Sequence, residues 1–254
     1  MVVNTSNWRA YTSSQHGARI SGGLLEITNR RGSSSPGHGQ GYAYVRAGGT
    51  GSHYAAGYDP TLRNNAGQEI VWSFNMRRDN ADSTDGGFSC SSSSSQNYIT
   101  IGLAYVLAAS TASGLDASAS TCSPTGTAHG YAVVMGGSSR RVRLVRFVNG
   151  LRNGTLTNIV ESGSFTASSY FSVRVTYSAA SDQWRLEVRS DGSSSFANPA
   201  AGTYSFSSTG TDATYVTEPL AFSGPYFQTG CTGLCSSTYT ARFDNVSVGL
   251  RCAP

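Results

Sequence analysis

Residues 170–192 read YFSVRVTYSAASDQWRLEVRSDG, and apolar and polar side chains alternate along both halves of this segment. A period of two is typical of a β-strand that has one buried and one solvated face. The short polar turn SAASD separates the halves, so the segment predicts an antiparallel hairpin. We expect its buried face to carry Phe171, Val173, Val175, Tyr177, Trp184, Leu186 and Val188. The solvated face carries Arg174, Arg185, Glu187 and Arg189.

The rest of the chain repeats this pattern in shorter pieces. Residues 69–77 alternate strongly, residues 98–108 are almost entirely apolar, and residues 130–135 and 141–148 predict a second hairpin. Weaker strand candidates are residues 8–12, 23–28, 40–46, 155–161, 220–228 and 239–250. About a dozen short strands, little helix and no internal repeat predict an all-β, two-sheet antiparallel sandwich. We expect one domain over residues 1–254, because no linker divides the chain.

The overall composition narrows the functional classes. Only 13% of the residues are charged, and the formal net charge is +4. All basic residues are arginines, and they are scattered apart from Arg140, Arg141, Arg143 and Arg146. A nucleic-acid surface needs a basic stripe or a known motif, so we expect no nucleic-acid partner. No run of 18 apolar residues predicts a membrane span.

Five cysteines lie mainly in loops of small polar residues, which is typical of disulfides in an oxidising compartment. The sequence order favours the pairs Cys90–Cys122 and Cys231–Cys235, which leaves Cys252 unpaired. Either Cys252 pairs with a neighbouring module or chain, or the assumed pairing is wrong. The histidines lack zinc-ligand spacing. We expect a secreted or cell-surface protein, although no apolar signal segment opens the sequence.

A family resemblance rests on two motifs. The segment FSVRVTYSAASDQWRLEVRSDG is followed about fifty residues later by ARFDNVSV. Together they resemble the concanavalin A-like and laminin G-like jelly rolls of secreted bacterial, Bacteroidota-like surface proteins, over roughly residues 8–250. The resemblance implies a jelly-roll sandwich, a fold that hosts lectins, adhesins, glycosidases and lyases alike.

The catalytic hypothesis finds little support in the sequence. Glycosidases need two carboxylates about 5–10 Å apart, flanking the scissile bond. The glycosidases that this chain resembles carry the pair on one strand, whereas here Glu187 and Asp191 come closest and Asp191 follows the predicted strand. A Q-x-H strand, as in the resembled lyases, and a G-x-S-x-G elbow are also absent. We therefore expect a non-catalytic protein.

Candidate binding residues follow from the lectin-like resemblance. Lectins of this fold stack sugars on loop aromatics, here Tyr54, Tyr58 and Tyr226, although these rings could equally pack loops onto the sandwich. The arginines Arg174, Arg185 and Arg189 form either a solvated face with cross-strand charge pairs or a platform for an acidic polysaccharide. Structural Ca²⁺ is a further candidate. Its ligands would be Asp79, Asp82, Asp244 and Asn245.

Two functional hypotheses of different class therefore remain open. The first is a secreted module that binds a polysaccharide or cell-surface glycan, or mediates adhesion. The second is an extracellular structural subunit that assembles into a filament or surface layer through head-to-tail contacts, with Cys252 as a point of self-association. A glycan-active hydrolase or lyase is the weakest alternative.

Overall fold

The computed structural model describes residues 9–12, 16–29, 39–46, 57–78, 88, 90–92, 97–99, 102–112, 115, 126–135, 141–151, 154–166, 169–229 and 239–253. Its strands in chain order are β1 (Arg9–Thr12), β2 (His16–Ser21), β3 (Leu24–Asn29), β4 (Gly39–Arg46), β5 (Gln68–Arg78), β6 (Cys90–Ser92), β7 (Asn97–Ile99), β8 (Gly102–Ala109), β9 (Gly130–Met135), β10 (Arg141–Val148), β11 (Thr155–Ser164), β12 (Tyr170–Ser178), β13 (Gln183–Gly192), β14 (Phe206–Thr211), β15 (Phe222–Thr229) and β16 (Tyr239–Cys252). A short 3-10 helix spans Leu62–Asn64.

Fourteen of these strands form two seven-stranded antiparallel sheets. We call the first the hairpin sheet, with strand order β14-β13-β12-β5-β16-β3-β2, and the second the facing sheet, with order β1-β4-β15-β8-β9-β10-β11. Strands β6 and β7 pair separately. The predicted all-β two-sheet sandwich is therefore confirmed, and unpredicted strands such as β2, β6 and β14 raise the number above a dozen.

The hairpin of residues 170–192 forms with the predicted faces. Val173, Val175 and Tyr177 lie opposite Val188, Leu186 and Trp184 in the register of β12 and β13. Every predicted inward residue of the hairpin is at most 3% exposed. Strand β12 also pairs with β5 along its whole length. The period of two in the sequence therefore predicts correctly which side chains of the hairpin are buried in the core.

Aromatic rings fill the space between the sheets. The ring of Trp184 lies 6.0 Å from Trp72, 4.4 Å from Tyr131 and 4.6 Å from Tyr177, measured between centroids. Nearby, Phe74 stacks on Tyr105 at 4.1 Å. Such ring pairs stabilise a core beyond the apolar area that they bury.

The centre of the facing sheet, at β8 and β9, is apolar on both faces. Strand β8 is buried along all of its residues, as its nearly continuous apolar sequence predicts. Its inward residues join the core between the sheets, while Ala104 and Val106 join a second cluster on the other side. Phe88 and Leu115, from the segments flanking β8, pack in this second cluster.

One strand is divided differently from the sequence prediction, and three strands, among them the three-residue β6, were not predicted. The run 98–108 is divided between β7 and β8 rather than forming one strand. Strands β2 and β14 were not predicted, because HGARIS and FSSTGT hold few apolar residues at alternating positions. Both lie at edges of the hairpin sheet, where one side of a strand lacks a partner strand and polar residues are tolerated.

No helix among the described residues is long and apolar enough to span a membrane.

Buried tyrosines predict the response of the fold to alkaline pH. Burial is the main cause that raises the pKa of Tyr58, Tyr105, Tyr131 and Tyr177 above the ordinary value of 10.0. The unfolded chain releases these phenol protons near its ordinary pKa, while the folded chain retains them. Their contribution to stability is therefore complete below pH 10.0 and is lost as the pH rises above it.

We expect unfolding and ionisation of these tyrosines to coincide in an alkaline titration. Tyrosinate absorbance and far-ultraviolet circular dichroism, recorded on the same samples, measure the two processes. Ionisation of all 14 tyrosines near pH 10 with the β-sheet signal intact would contradict this expectation.

Candidate functional site

One polar surface of the described chain is the outer face of the hairpin sheet around Arg174, Arg185 and Arg189, which we call the arginine face. Alternation along β12 and β13 directs these side chains away from the core. The guanidinium of Arg174 binds Glu187 through two hydrogen bonds, with Nε–Oε2 and Nη2–Oε1 distances of 2.6 and 2.8 Å. This bidentate pair fixes both side chains and raises the pKa of Arg174 further.

Arg189 connects the sheet to residues 193–205, which lie against one half of the arginine face. Its Nε donates to Asp191 at 2.8 Å, and its Nη2 donates to Ser172 at 2.9 Å. It also donates to the carbonyl oxygens of Asn198 and Ala201. Arg189 therefore acts as a fixed anchor for this segment.

An aromatic ring closes this half of the face. The ring of Tyr204 has the guanidinium carbon of Arg174 at 4.6 Å and that of Arg189 at 5.5 Å from its centroid. Cation–π contacts of this kind hold arginine side chains in one orientation. The structure therefore supports both charge pairing on the face and a rigid arrangement of its donors.

A buried amide ties the same segment to the centre of the sheet. The side chain of Asn75, which is 0% exposed, donates to the carbonyl oxygen of Ala197 and to the hydroxyl of Ser172, each at 3.0 Å. Its oxygen accepts a hydrogen bond of 2.7 Å from Asn245. Residues 193–205 are thus held by buried polar contacts, which sequence alternation alone does not reveal.

Arg185 differs from the other two hairpin arginines. It lies opposite Thr176 on β12 and opposite Thr209 on β14. Within the described part of the chain, its guanidinium has no carboxylate partner, whereas Arg174 and Arg189 pair with Glu187 and Asp191. Arg185 therefore presents unneutralised charge on this face.

A second polar cluster lies at the end of the sandwich that holds the turn between β12 and β13. Asp212 accepts hydrogen bonds from Tyr131 at 2.9 Å, from Arg146 at 2.7 Å and from the backbone N–H of Thr214 at 2.9 Å. The hydroxyl of Tyr131 accepts from the backbone of Tyr215. These bonds fix the segment that crosses from β14 to β15, so we assign the cluster a structural role.

Near this cluster, Ser110, His129 and Glu218 form a chain that resembles a catalytic arrangement only superficially. The Nε2 of His129 lies 2.7 Å from Glu218, and its Nδ1 lies 3.4 Å from the Ser110 hydroxyl. That hydroxyl accepts a 3.1 Å hydrogen bond from the backbone N–H of His129. A separation of 3.4 Å is long for the hydrogen bond between a nucleophilic serine and its base, and the serine oxygen secures the start of β9, so we assign this chain a structural role.

The structure places two of the three candidate sugar-binding tyrosines in apolar packing, and the third is not described. Tyr226 is 0% exposed and its hydroxyl donates to Gln228, so its predicted role in stacking on a sugar is wrong. Alternation places the ring of Tyr226 in the apolar cluster outside the facing sheet. Tyr58 packs against the main core, and burial of its hydroxyl raises its pKa. Tyr54 lies outside the described residues.

The calcium prediction gains no support from the residues that the structure describes. Asn245, in a left-handed conformation with φ of 47°, uses its amide to bind Asn75. Calcium requires six to eight oxygen ligands, and no group of three or more acidic, histidine or cysteine side chains gathers within the described ranges. Asp79 and Asp82 lie outside the described residues, so calcium binding at the four candidate positions stays a prediction.

The disulfide predictions fall largely outside the described residues. Cys122, Cys231 and Cys235 are not described, and only the backbone of Cys90, at the start of β6, is described. Cys252, at the end of β16, is exposed and has a free thiol among the described residues.

Comparison with solved structures confirms the type of fold. Arcelin-5, a lectin-like defence protein from Phaseolus vulgaris, is 14% identical, with a TM-score of 0.53 over 98% of this chain and 96% of its own. Lectin II from Ulex europaeus is also 14% identical, with a TM-score of 0.51 over 96% of this chain and 94% of its own. A structure of lectin UEA-II complexed with galactose gives the same values. No family model and no curated protein matches the chain.

These likenesses define the chain as a concanavalin A-like sandwich of the legume-lectin type, as the sequence resemblance implies. At 14% identity they establish the fold alone. The laminin G-like and bacterial parts of the resemblance remain predictions. The function must be argued from the chain's own surface.

Proposed function

We propose that this chain is a non-catalytic carbohydrate-binding module that binds a polysaccharide or cell-surface glycan through the arginine face. The observation that carries the proposal is the rigid array of donors on this face. Arg174 and Arg189 are fixed by carboxylates and by Tyr204, and Arg185 lies beside them with its charge unneutralised. Pre-organised donors reduce the conformational entropy lost when a ligand with many hydroxyls binds.

The structural neighbours support the proposal in a limited way. Two of them are named lectins, and one of those was solved with galactose. These are properties of those proteins, and the fold that they share with this chain also supports other functions. Because of these neighbours, carbohydrate is the first ligand to test. The arginine face supplies the hydrogen-bond donors that would bind it.

The carboxylates of the face favour binding over hydrolysis. A glycosidase needs two carboxylates that both approach the scissile bond. Glu187 is held by two hydrogen bonds from Arg174, and Asp191 is held by Arg189. Both carboxylates are therefore engaged by arginines of the same face. We therefore propose that these acids position arginines.

An extracellular location is part of the same proposal, because cysteines in small polar loops suit an oxidising compartment. Adhesion would follow from glycan binding at a cell surface. Self-assembly through Cys252 remains a separate prediction, which mass measurement in solution with and without a reductant would test.

A glycan array of neutral and acidic polysaccharides, with and without a chelator, tests the proposed function. We expect binding to at least one polysaccharide class. The double variant Arg174→Gln/Arg185→Gln should lose this binding while its circular dichroism spectrum stays that of a folded sandwich. The absence of binding to every glycan by the folded wild-type protein would contradict the proposal, as would full binding by the double variant.

A further inference from the structure

The guanidinium of Arg189 is enclosed by one turn of the segment 193–205. We call residues 198–202 the NPAAG turn, after their sequence. The carbonyl oxygens of Asn198 and Ala201 accept hydrogen bonds of 3.1 and 2.6 Å from Arg189. The backbone N–H of Ala201 donates to the same Asn198 carbonyl at 3.2 Å, which closes the turn. The turn and the arginine therefore hold each other in place.

Few donors of Arg189 remain for a ligand. On the side of the sheet, its Nε donates to Asp191 and its Nη2 donates to Ser172. Together with the two bonds to the turn, four of its five N–H groups have acceptors within the chain. Its side chain is 16% exposed, whereas that of Arg174 is 26% exposed. These contacts favour a positioning role for Arg189 over direct contact with a glycan.

The NPAAG turn ends at Gly202, which lies directly against the arginine. Gly202 has a left-handed φ of 84°, a conformation that glycine adopts without a steric penalty. A Cβ added at this position would overlap Nη1 of Arg189. The close approach of the turn to the guanidinium therefore depends on the absence of a side chain at this one residue.

The same turn places the ring of Tyr204 over the arginine face. The Tyr204 hydroxyl donates to the carbonyl oxygen of Pro199 within the turn. The centre of the ring lies 4.6 Å from the guanidinium carbon of Arg174. Arg174 uses its Nε and Nη2 for Glu187, and its Nη1 has no hydrogen bond to a described residue. The ring therefore restricts a guanidinium that still has donors to offer.

We infer that the NPAAG turn is a positioning element of the arginine face, and that Gly202 is the residue on which it depends. Gly202 allows the turn to enclose Arg189, and the enclosed turn fixes Tyr204. The ring of Tyr204 in turn holds the guanidinium of Arg174 in one orientation. The inference rests on the proposed function and divides the roles of the arginines. Arg189 is a positioning residue, while Arg174 and Arg185 supply the donors that contact the glycan.

Two glycine substitutions separate this contact from backbone strain. Gly202→Ala places a methyl group against Arg189. Gly192→Ala is the matched control, because Gly192 has a similar φ of 87° but an added Cβ there meets no atom within 4 Å. Both variants carry left-handed strain, and neither removes a donor from the arginine face. Isothermal titration with polygalacturonate and with neutral galactan measures affinity, and circular dichroism checks the fold.

A second pair of variants tests the aromatic ring. Tyr204→Leu removes the ring and leaves all arginines in the chain, whereas Tyr204→Phe keeps the ring. Nuclear magnetic resonance of the arginine Nε–H groups provides a readout that does not require a ligand. An aromatic ring shifts the resonances of groups near its face, so the Nε–H resonance of Arg174 reports whether the ring still lies over it.

We expect Gly202→Ala and Tyr204→Leu to weaken binding of the polymer that the wild type binds by roughly three- to tenfold. This is the range for losing the order of one flexible side chain before binding. Gly192→Ala should leave the affinity unchanged, and Tyr204→Phe should retain most of it. The Nε–H resonance of Arg174 should move in Gly202→Ala and Tyr204→Leu and stay in place in Gly192→Ala.

Three results would overturn the inference. Equal affinities of the wild type, Gly202→Ala and Tyr204→Leu would refute it and leave the proposed function standing. Equal losses for Gly202→Ala and Gly192→Ala would assign the effect to backbone strain and refute it as well. A wild type that binds neither polymer would refute the inference, and the proposed function would fall with it if the glycan array also shows no binding.

Discussion

Replacing Trp184 with alanine is expected to lower the free energy of unfolding by about 3–5 kcal/mol, the range for removing a large aromatic side chain from a core. The ring is 0% exposed and contacts Trp72, Tyr131 and Tyr177. Its Nε1 also donates to the carbonyl oxygen of Asp212 at 3.0 Å. The substitution would therefore leave a cavity between the sheets and an unsatisfied carbonyl.

Denaturant titration followed by circular dichroism measures this loss of stability. Gln183→Ala is the matched control, because Gln183 is the neighbouring residue on β13 and is exposed. It should change the free energy of unfolding by less than about 0.5 kcal/mol, as most surface substitutions do. A decrease in the free energy of unfolding below about 1 kcal/mol for Trp184→Ala would contradict the position of Trp184 at the centre of the core.

Asp212→Ala is expected to lower the free energy of unfolding by about 3 kcal/mol, because it removes one partner of a largely buried ion pair. The Asp212 side chain is 9% exposed, and it accepts from Tyr131 and Arg146. Without it, the buried phenol of Tyr131 and the guanidinium of Arg146 lose their acceptor. The segment joining β14 to β15 would lose its main attachment.

The ion pair of Arg141 and Glu161 provides the comparison. Both side chains are substantially exposed, at 44% and 28%. Exposed pairs contribute about 0–1 kcal/mol, so Glu161→Ala should have a small effect on thermal stability. Equal losses of stability for Asp212→Ala and Glu161→Ala would show that the Asp212 cluster does not hold the crossing segment. Because this cluster lies away from the arginine face, Asp212→Asn should leave glycan affinity unchanged.

Alternation in the sequence predicted the parts of the fold where one face is buried and the other is solvated. Strands β12 and β13 have this property, and their inner residues were predicted without error. Strand β14 escaped prediction because Ser, Thr and Gly dominate it, and its position depends on β13 already being in place. Edge strands of this kind are specified by tertiary pairing more than by their own sequence.

The candidate site was predictable only in part. The period of two placed Arg174, Arg185 and Arg189 on one face, but it could not show which of them pair with carboxylates. The arrangement of the face also depends on the register of β16 against β5, which brings Gly249 beside Val71. Residues distant in sequence meet there through long-range pairing, and no local pattern encodes that.

The error at Tyr226 has a related cause. Tyr226 was assigned a role in stacking on a sugar, whereas its ring is buried in β15 and packs in the same apolar cluster as Phe88. A strand buried on both faces lacks a polar face, so alternation gives no signal for it. The aromatic ring of the arginine face is instead Tyr204, from a segment without regular alternation.

Mapping of backbone amide shifts by nuclear magnetic resonance tests the central claim most directly. An oligosaccharide of the class that binds on the array is titrated into uniformly labelled protein. Binding at the arginine face predicts the largest shifts at Arg174, Arg185, Arg189 and Tyr204, and small shifts around Tyr215. Shifts confined to the facing sheet or to the Asp212 cluster would contradict the assignment of the arginine face as the binding surface.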